Sequence, residues 1–497
     1  MNDSTRRFAI TVLSTLLCSA YGQDLRSERK PLASKPPMGW NSWDCFGTTV
    51  KESEVKANAD YMASHLRRYG WQYIIVDIQW SDPKAKAHGY RPNADLAMDR
   101  YGRLIPAANR FPSAAGDHGF KPLADYVHSH GLKFGIHIMR GIPREAVHTN
   151  SPINGSRFHA ADVANRTSIC SWNTDMYGLD MTKPGAQDYY DSIAHLYAGW
   201  GVDFIKADNM LDPLHADEIQ ALSKAIDKTR RPIVLSLSPG PTRVQDAALL
   251  SRYAEMWRIS NDFWDRWQDL KHQFDLLAIW EPHARPGSWP DADMLPLGRI
   301  AIRAERGNDR MSRFTHSEQQ TLMSLWAIAR SPLMYGGDLP SNDEFSLSLL
   351  TNDEVLKANQ QGTNSRQLFR DGDQITWTSD IPGSNSKYLA VFNISDNSPQ
   401  DIRVDFARLG LPHSCGIRDL WQKAVVGKPN RSHTFHVSPH ASGLYRITPV
   451  ARLYRRLEST SPEVPPLSRF YLSSTVCSLA CLTRSVRERH PSRQPQP

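Results

Sequence analysis

Long apolar runs, a cysteine framework and clusters of metal-type ligands are all missing from this sequence, and each absence excludes a class. Beyond the first 22 residues no segment is long and apolar enough to cross a bilayer, which takes roughly 18 or more such residues, so no membrane span is expected. Only six cysteines occur in 497 residues. Cys18 lies in the leader and Cys477 and Cys481 near the C-terminus. Cys45, Cys170 and Cys415 are left in the body, without metal-type spacing. One disulfide, Cys45 with Cys170, stays open; a framework of them does not. No glycine-rich phosphate turn follows the first apolar strand pattern, which speaks against an open, doubly wound nucleotide-binding sheet.

A basic surface for nucleic acid is missing as well. The formal charge is +7, but the segment from Ala451 onward holds eight arginines against three glutamates, and the body is left nearly neutral. A nucleic-acid binder carries its basic patch on the folded domain. What the N-terminus does hold is a leader. Arg6 and Arg7 precede the apolar stretch Phe8 to Leu17, and Ala20-Tyr21-Gly22 is a small-x-small cleavage pattern. Residues 1–22 therefore read as a signal peptide, and the protein as secreted or periplasmic.

From about Pro36 to Leu339, apolar strand-like runs alternate with helix-like segments. Strands are expected at Met38–Trp40, Tyr73–Asp77, Lys133–Ile138, Val202–Ala207, Pro232–Leu237, Met256–Ile259, Ser288–Met294 and Pro332–Tyr335. Apolar residues recur at three- and four-residue steps in Glu52–Arg68, Phe120–His130, Ala186–Trp200 and His215–Lys228, which predicts helices. Eight such units predict an α/β fold, a (β/α)8 TIM barrel over residues 35–345. Two connections, Ser81–Phe120 and Gly141–Thr182, exceed the rest and should shape the catalytic face. After Gly362 the period shortens to alternating strands parted by turn residues, predicting an antiparallel β-sandwich over 363–449. Residues 450–497 are rich in Arg, Ser and Pro and are expected to be disordered.

The strand candidates share one design: apolar residues ending in polar ones. Val202-Asp203-Phe204-Ile205-Lys206-Ala207-Asp208 shows it best, and others end in Asp77, His137, Ser238, and Arg258 followed by Asp262. In a barrel such ends converge on one mouth. Asp208 and Asp262, two strands apart, fit the carboxylate pair of glycoside hydrolysis: one attacks the anomeric carbon, and the other protonates the leaving oxygen. Lys206, on the same strand face, would keep Asp208 ionised. Arg258 could steady a carboxylate or hold a hydroxyl. Taken singly, an Asp at a strand end is as well read as a helix cap, and a Lys–Asp pair as a plain ion pair.

The motif Pro36-Pro37-Met38-Gly39-Trp40-Asn41-Ser42-Trp43 resembles the opening of glycoside hydrolase family 27, the α-galactosidases and α-N-acetylgalactosaminidases. The likeness continues through Gly131–Ile136, Gly201–Asp208, Trp257-Arg258, Trp289–Leu295 and Gly337–Leu339. It implies a retaining glycosidase for terminal galactose-like sugars, with a glycoside or oligosaccharide as substrate and no metal or organic cofactor. By the resemblance, Asp208 is the nucleophile and Asp262 the acid/base. Trp43 forms a sugar-site wall, Asp77, Lys206 and Arg258 hold hydroxyls, and Asp293 lies at the edge. Five positions depart from the family. Ile78 replaces the second aspartate of a hydroxyl clamp. Ser238, a candidate sugar contact, stands where α-galactosidases read the 2-hydroxyl with a glutamate, and His137, another candidate, where a tyrosine is common; His137 is expected to line the sugar pocket or pack beside it. Gln79 and Met210 replace cysteines of the family's disulfides. The alternatives are specificity for α-N-acetylgalactosaminides, isomaltose-type glucosides or β-L-arabinopyranosides, or a non-catalytic carbohydrate-binding barrel.

Overall fold

The computed structural model describes residues 32–450 apart from residue 92, so the leader expected at 1–22 and the segment 451–497, expected to be disordered, lie outside the described residues. Eight short strands form a parallel sheet: β1 Met38–Asn41, β2 Tyr73–Val76, β3 Lys133–Met139, β4 Phe204–Asp208, β5 Val234–Leu237, β6 Met256–Arg258, β7 Trp289–Asp291 and β8 Leu333–Tyr335. Their order is β7-β6-β5-β4-β3-β2-β1-β8, and the remaining seam is closed by a parallel bridge between Leu295 and Tyr335. There Leu295 N–H donates to the Met334 carbonyl at 2.7 Å, and Gly336 N–H returns to Leu295 at 3.0 Å. A cyclic order of sequential parallel strands is the predicted barrel.

The strands read as apolar runs because both of their faces are covered. Tyr73-Ile74-Ile75-Val76 is buried at every position, by the barrel interior on one side and by helices on the other. The helix predicted at Ala186–Trp200 is observed with those bounds, between Gly185 and Gly201, both in the left-handed region at φ 95° and 89°. The predicted helix Glu52–Arg68 is instead composite. It is α-helical only over Glu52–Tyr61, then passes through a wider turn at Met62–Leu66 and a tighter one at Arg67–Tyr69.

The C-terminal part is a β-sandwich with eight strands: β9 Thr363–Asp371, β10 Gln374–Asp380, β11 Lys387–Asn393, β12 Gln400–Asp405, β13 Cys415–Asp419, β14 Ala424–Gly427, β15 Ser432–Val437 and β16 Ser442–Pro449. Six of them make one antiparallel sheet, and β12 pairs with β15 across from it. Leu389 and Val391 of β11 face a small core with Ile402, Val404 and Phe435. The alternate residues Ala390 and Phe392 join the main core shared with the barrel. This sheet is therefore buried on both faces, and β11 reads as a continuous apolar run rather than an alternating one.

Candidate active site

The polar strand ends do converge. Lys206 and Asp208, alternate residues of β4, point into the barrel mouth, and the register sets His137 of β3 opposite Lys206. A cavity of about 440 Å³ opens there, lined among others by Trp43, Asp77, Lys206, Asp208, Arg258 and Asp262.

The charges sort into two groups. In the first, Asp77 accepts from Lys206 Nζ at 2.9 Å and from Asn41 Nδ2 at 2.7 Å, while its own N–H donates to Ser42 Oγ at 2.9 Å. Burial pushes its carboxyl up, but Lys206 and the donors prevail and hold it at about 2. Asp208 accepts instead from His137 Nε2 at 3.0 Å and from the Asn209 N–H at 2.8 Å. Burial opposes its ionisation; the His137 hydrogen bond, reinforced by the Lys206 charge, outweighs that and lowers it below the usual carboxylate range. The expected help of the Lys206 charge to Asp208 is thus present, but the Lys206 hydrogen bond itself goes to the buried Asp77, at 2.9 Å.

In the second group, Arg258 bridges Asp262 at 3.2 Å and Asp293 at 2.8 Å. Asp293, at φ 85°, also accepts from the Phe263 N–H at 2.8 Å, so it pins the loop that carries Asp262. Burial and the Asp262 charge raise the Asp293 carboxyl despite Arg258. Burial, with Asp293 next, pushes Asp291 up to about 7. The Asp262 side chain is 44% exposed, in contrast to the 13% of Asp208.

His137 and Ser238, the other two candidate sugar contacts, do not line this cavity. His137 is 1% exposed, does not line the cavity, and acts on Asp208. Ser238 lies below, at a small void of about 20 Å³ inside the barrel, and its neighbour Pro239 lines the main cavity in its place. Ile78 does line the cavity, beside Asp77. The open question of a disulfide is settled: Cys45, Cys170 and Cys415 are free and buried. Gln79, in a position of an expected cysteine, instead donates its amide to Asp175 at 2.6 Å, joining the loops after β2 and β3.

Several lining residues were not anticipated. Tyr90 stacks on Trp43 with centroids 5.8 Å apart, and Trp172 meets Tyr90 at 5.5 Å. Both come from the two long connections, which makes a continuous aromatic wall. Asp44 lines the cavity too, and its Oδ2 is buried without a partner against Gly336, where an added Cβ would come within 2.0 Å. Burial first, then Asp293, Asp262 and Asp77, push its carboxyl well above the usual range. No group of three metal-type ligands gathers among the described residues.

The family model described as Alpha galactosidase A matches residues 35–183 and 180–361, and that of the alpha galactosidase C-terminal beta sandwich domain matches 371–447. Alpha-galactosidase 2 of Arabidopsis thaliana is 30% identical over 456 residues, covering 90% of this chain and 98% of its own. A crystal structure of a family 27 β-L-arabinopyranosidase from Geobacillus stearothermophilus is 52% identical, with a TM-score of 0.83 over 85% of this chain and 98% of that one. A putative alpha-N-acetylgalactosaminidase from Bacillus halodurans is 46% identical, with a TM-score of 0.76 over 84% and 98%. A barrel with this mouth, followed by this sandwich and matched along its length by these relatives, belongs to glycoside hydrolase family 27 and is a glycosidase of the α-galactosidase type.

Proposed function

We propose that the protein is a retaining exo-glycosidase whose preferred substrate is a terminal β-L-arabinopyranoside. Asp208 attacks the anomeric carbon while Asp262 protonates the departing oxygen. Asp262 then takes a proton from water, which displaces Asp208, and two inversions leave the anomeric configuration unchanged. The hydrogen bond from His137 supports the first role, since it keeps a buried carboxylate ionised. The exposure of Asp262 supports the second, since it must meet both aglycone and water. Asp77 and Lys206 hold ring hydroxyls, and Trp43 with Tyr90 takes the apolar face of the pyranose.

Ile78 carries the choice of sugar. L-Arabinopyranose has the ring configuration of galactose and lacks only the exocyclic hydroxymethyl group. An isoleucine 3% exposed at the cavity wall offers that hydroxyl no acceptor, at a cost of about 1–3 kcal/mol, and suits a sugar without it. The Geobacillus stearothermophilus relative, named for the same sugar, adds support. Residues 1–22 support export as the route to such a substrate.

Rates on para-nitrophenyl β-L-arabinopyranoside and α-D-galactopyranoside test the assignment. The expected kcat/KM ratio is about tenfold or more in favour of the arabinopyranoside, and proton NMR should show the β-anomer as first product. A preference for the galactoside returns the sugar to galactose, and full turnover by Asp208→Asn overturns the mechanism.

A further inference from the structure

A second cavity, of about 310 Å³, opens from the first on the side of Asp262. The two share Asp262, Trp264, Arg266, Glu305 and Arg306 as walls. The far wall is Arg310 and Arg313, on and just after the return strand of the hairpin Arg299–Ile300 with Arg310–Met311. An acid/base residue protonates the oxygen that leaves with the aglycone, so space beyond it on this side faces the leaving group. This placement rests on the role proposed for Asp262.

The charge of that space is lopsided. Apart from Asp262, four arginines meet two carboxylates, Asp265 and Glu305. Asp265 is fully engaged: Arg310 grips it with two hydrogen bonds, 2.6 and 3.0 Å, and the Arg313 N–H adds a third at 2.9 Å. Arg266 turns to Asp269 at 2.8 Å. Arg306 reaches only its chain neighbour Glu305, at 3.6 Å and 61% exposed. The Arg313 guanidinium is exposed and has no carboxylate partner among the described residues. Gly307 keeps the space in front of these groups clear. It sits at φ 81°, and a Cβ there would come within 3.0 Å of Arg310 and 3.4 Å of Arg313. The cavity on the other flank of Asp262, about 330 Å³, pairs Arg266 with Asp269 and has no such surplus.

We propose that the arginine-lined cavity is a leaving-group subsite for a uronic acid unit, whose carboxylate is read by Arg306 and Arg313. A guanidinium fork matches a carboxylate with two parallel hydrogen bonds, and the surplus positive charge also draws an anionic substrate toward the mouth.

The test is a matched pair of disaccharides with the preferred terminal sugar linked to a uronic acid or to its primary amide. The acid should be hydrolysed with kcat/KM about tenfold above the amide at low ionic strength, and the gap should narrow in about 0.5 M salt. Arg313→Gln and Arg306→Gln should each bring the acid-to-amide ratio toward one. A wild-type ratio of one or below, or a ratio that Arg313→Gln leaves untouched, overturns the inference. Hydrolysis of the para-nitrophenyl glycoside, which carries no carboxylate, reads the proposed activity separately. If that fails, calorimetry with the methyl uronoside still decides. Saturable binding that Arg313→Gln abolishes supports the subsite, and no binding overturns it.

Discussion

His137 donates to Asp208 across 3.0 Å, while Lys206, two residues from Asp208 in sequence, turns to Asp77 at 2.9 Å. The donors at the mouth are thus divided, one for the carboxylate proposed to attack and one for the carboxylate proposed to hold substrate. Trp80 fixes the arrangement by donating its indole N–H to the His137 carbonyl at 2.7 Å.

Replacing His137 with phenylalanine keeps the packing and removes the donor. Asp208 then faces burial with less to offset it, and its carboxyl rises from its lowered position. The nucleophile must be ionised, so the acid limb of the kcat/KM profile moves to higher pH. Loss of a hydrogen bond to a charged group, about 1.5–3 kcal/mol, corresponds to a fall in kcat/KM of roughly 10- to 100-fold. His137→Gln, whose amide can still donate, should recover part of both effects. An unmoved acid limb in the phenylalanine variant would show that His137 only fills space.

Ile78→Asp restores an acceptor beside Asp77. The ratio of galactoside to arabinopyranoside kcat/KM should rise about 10- to 100-fold, because a buried hydroxyl regains its partner. The new carboxyl will sit next to an ionised one, so the gain should grow with pH as it ionises. Steady-state rates on the two para-nitrophenyl glycosides between mildly acidic and neutral pH check both statements.

Residues that recur along a strand or helix were legible in the sequence, and residues placed by irregular chain were not. The barrel strands announce themselves because burial on both faces demands apolar runs, and polar ends such as Asp77 and Asp208 stand out against them. Tyr90 and Trp172 sit in the two long connections, where no period says which side chain turns inward. Asp44 follows Trp43 in a four-residue helix and reads as an ordinary first-turn acid. In the sandwich, β9 is Thr-Asn-Ser-Arg-Gln-Leu-Phe-Arg-Asp, too polar and half-exposed to read as a strand until its antiparallel partner β10 is seen.

Stability should depend on one buried ion pair outside the mouth. Arg140 and Glu218 meet with side chains 2% and 6% exposed, and Glu218 also accepts from Tyr190 Oη at 2.7 Å and the Leu179 N–H at 3.2 Å. This knot ties the long connection after β3 to the helix Ala216–Thr229. Glu218→Ala leaves a buried guanidinium unpaired and should cost about 3–5 kcal/mol, read as a lower urea midpoint. Glu218→Gln, which keeps acceptors for some of the donors, should cost less.

Asp44 offers a test of opposite sign. Its carboxyl is raised by burial first and then by Asp293, Asp262 and Asp77, with Lys206 opposing. The folded state therefore holds a proton that the unfolded chain releases above about pH 4. Where the native state binds more protons, stability falls as pH rises, so Asp44 weakens the fold progressively from about pH 4 up to its raised value. Asp44→Asn mimics the neutral acid and removes that slope. Relative to wild type, the variant should gain stability as the pH rises above about 4, seen as an increasing difference in thermal midpoint. Gly336→Ala tests the packing behind Asp44. A methyl placed 2.0 Å from Asp44 Oδ2 must push the carboxyl toward the cavity, so activity should fall in that variant even though residue 336 does not line the cavity. A stability difference that stays flat with pH would mean that Asp44 is ionised in the folded protein.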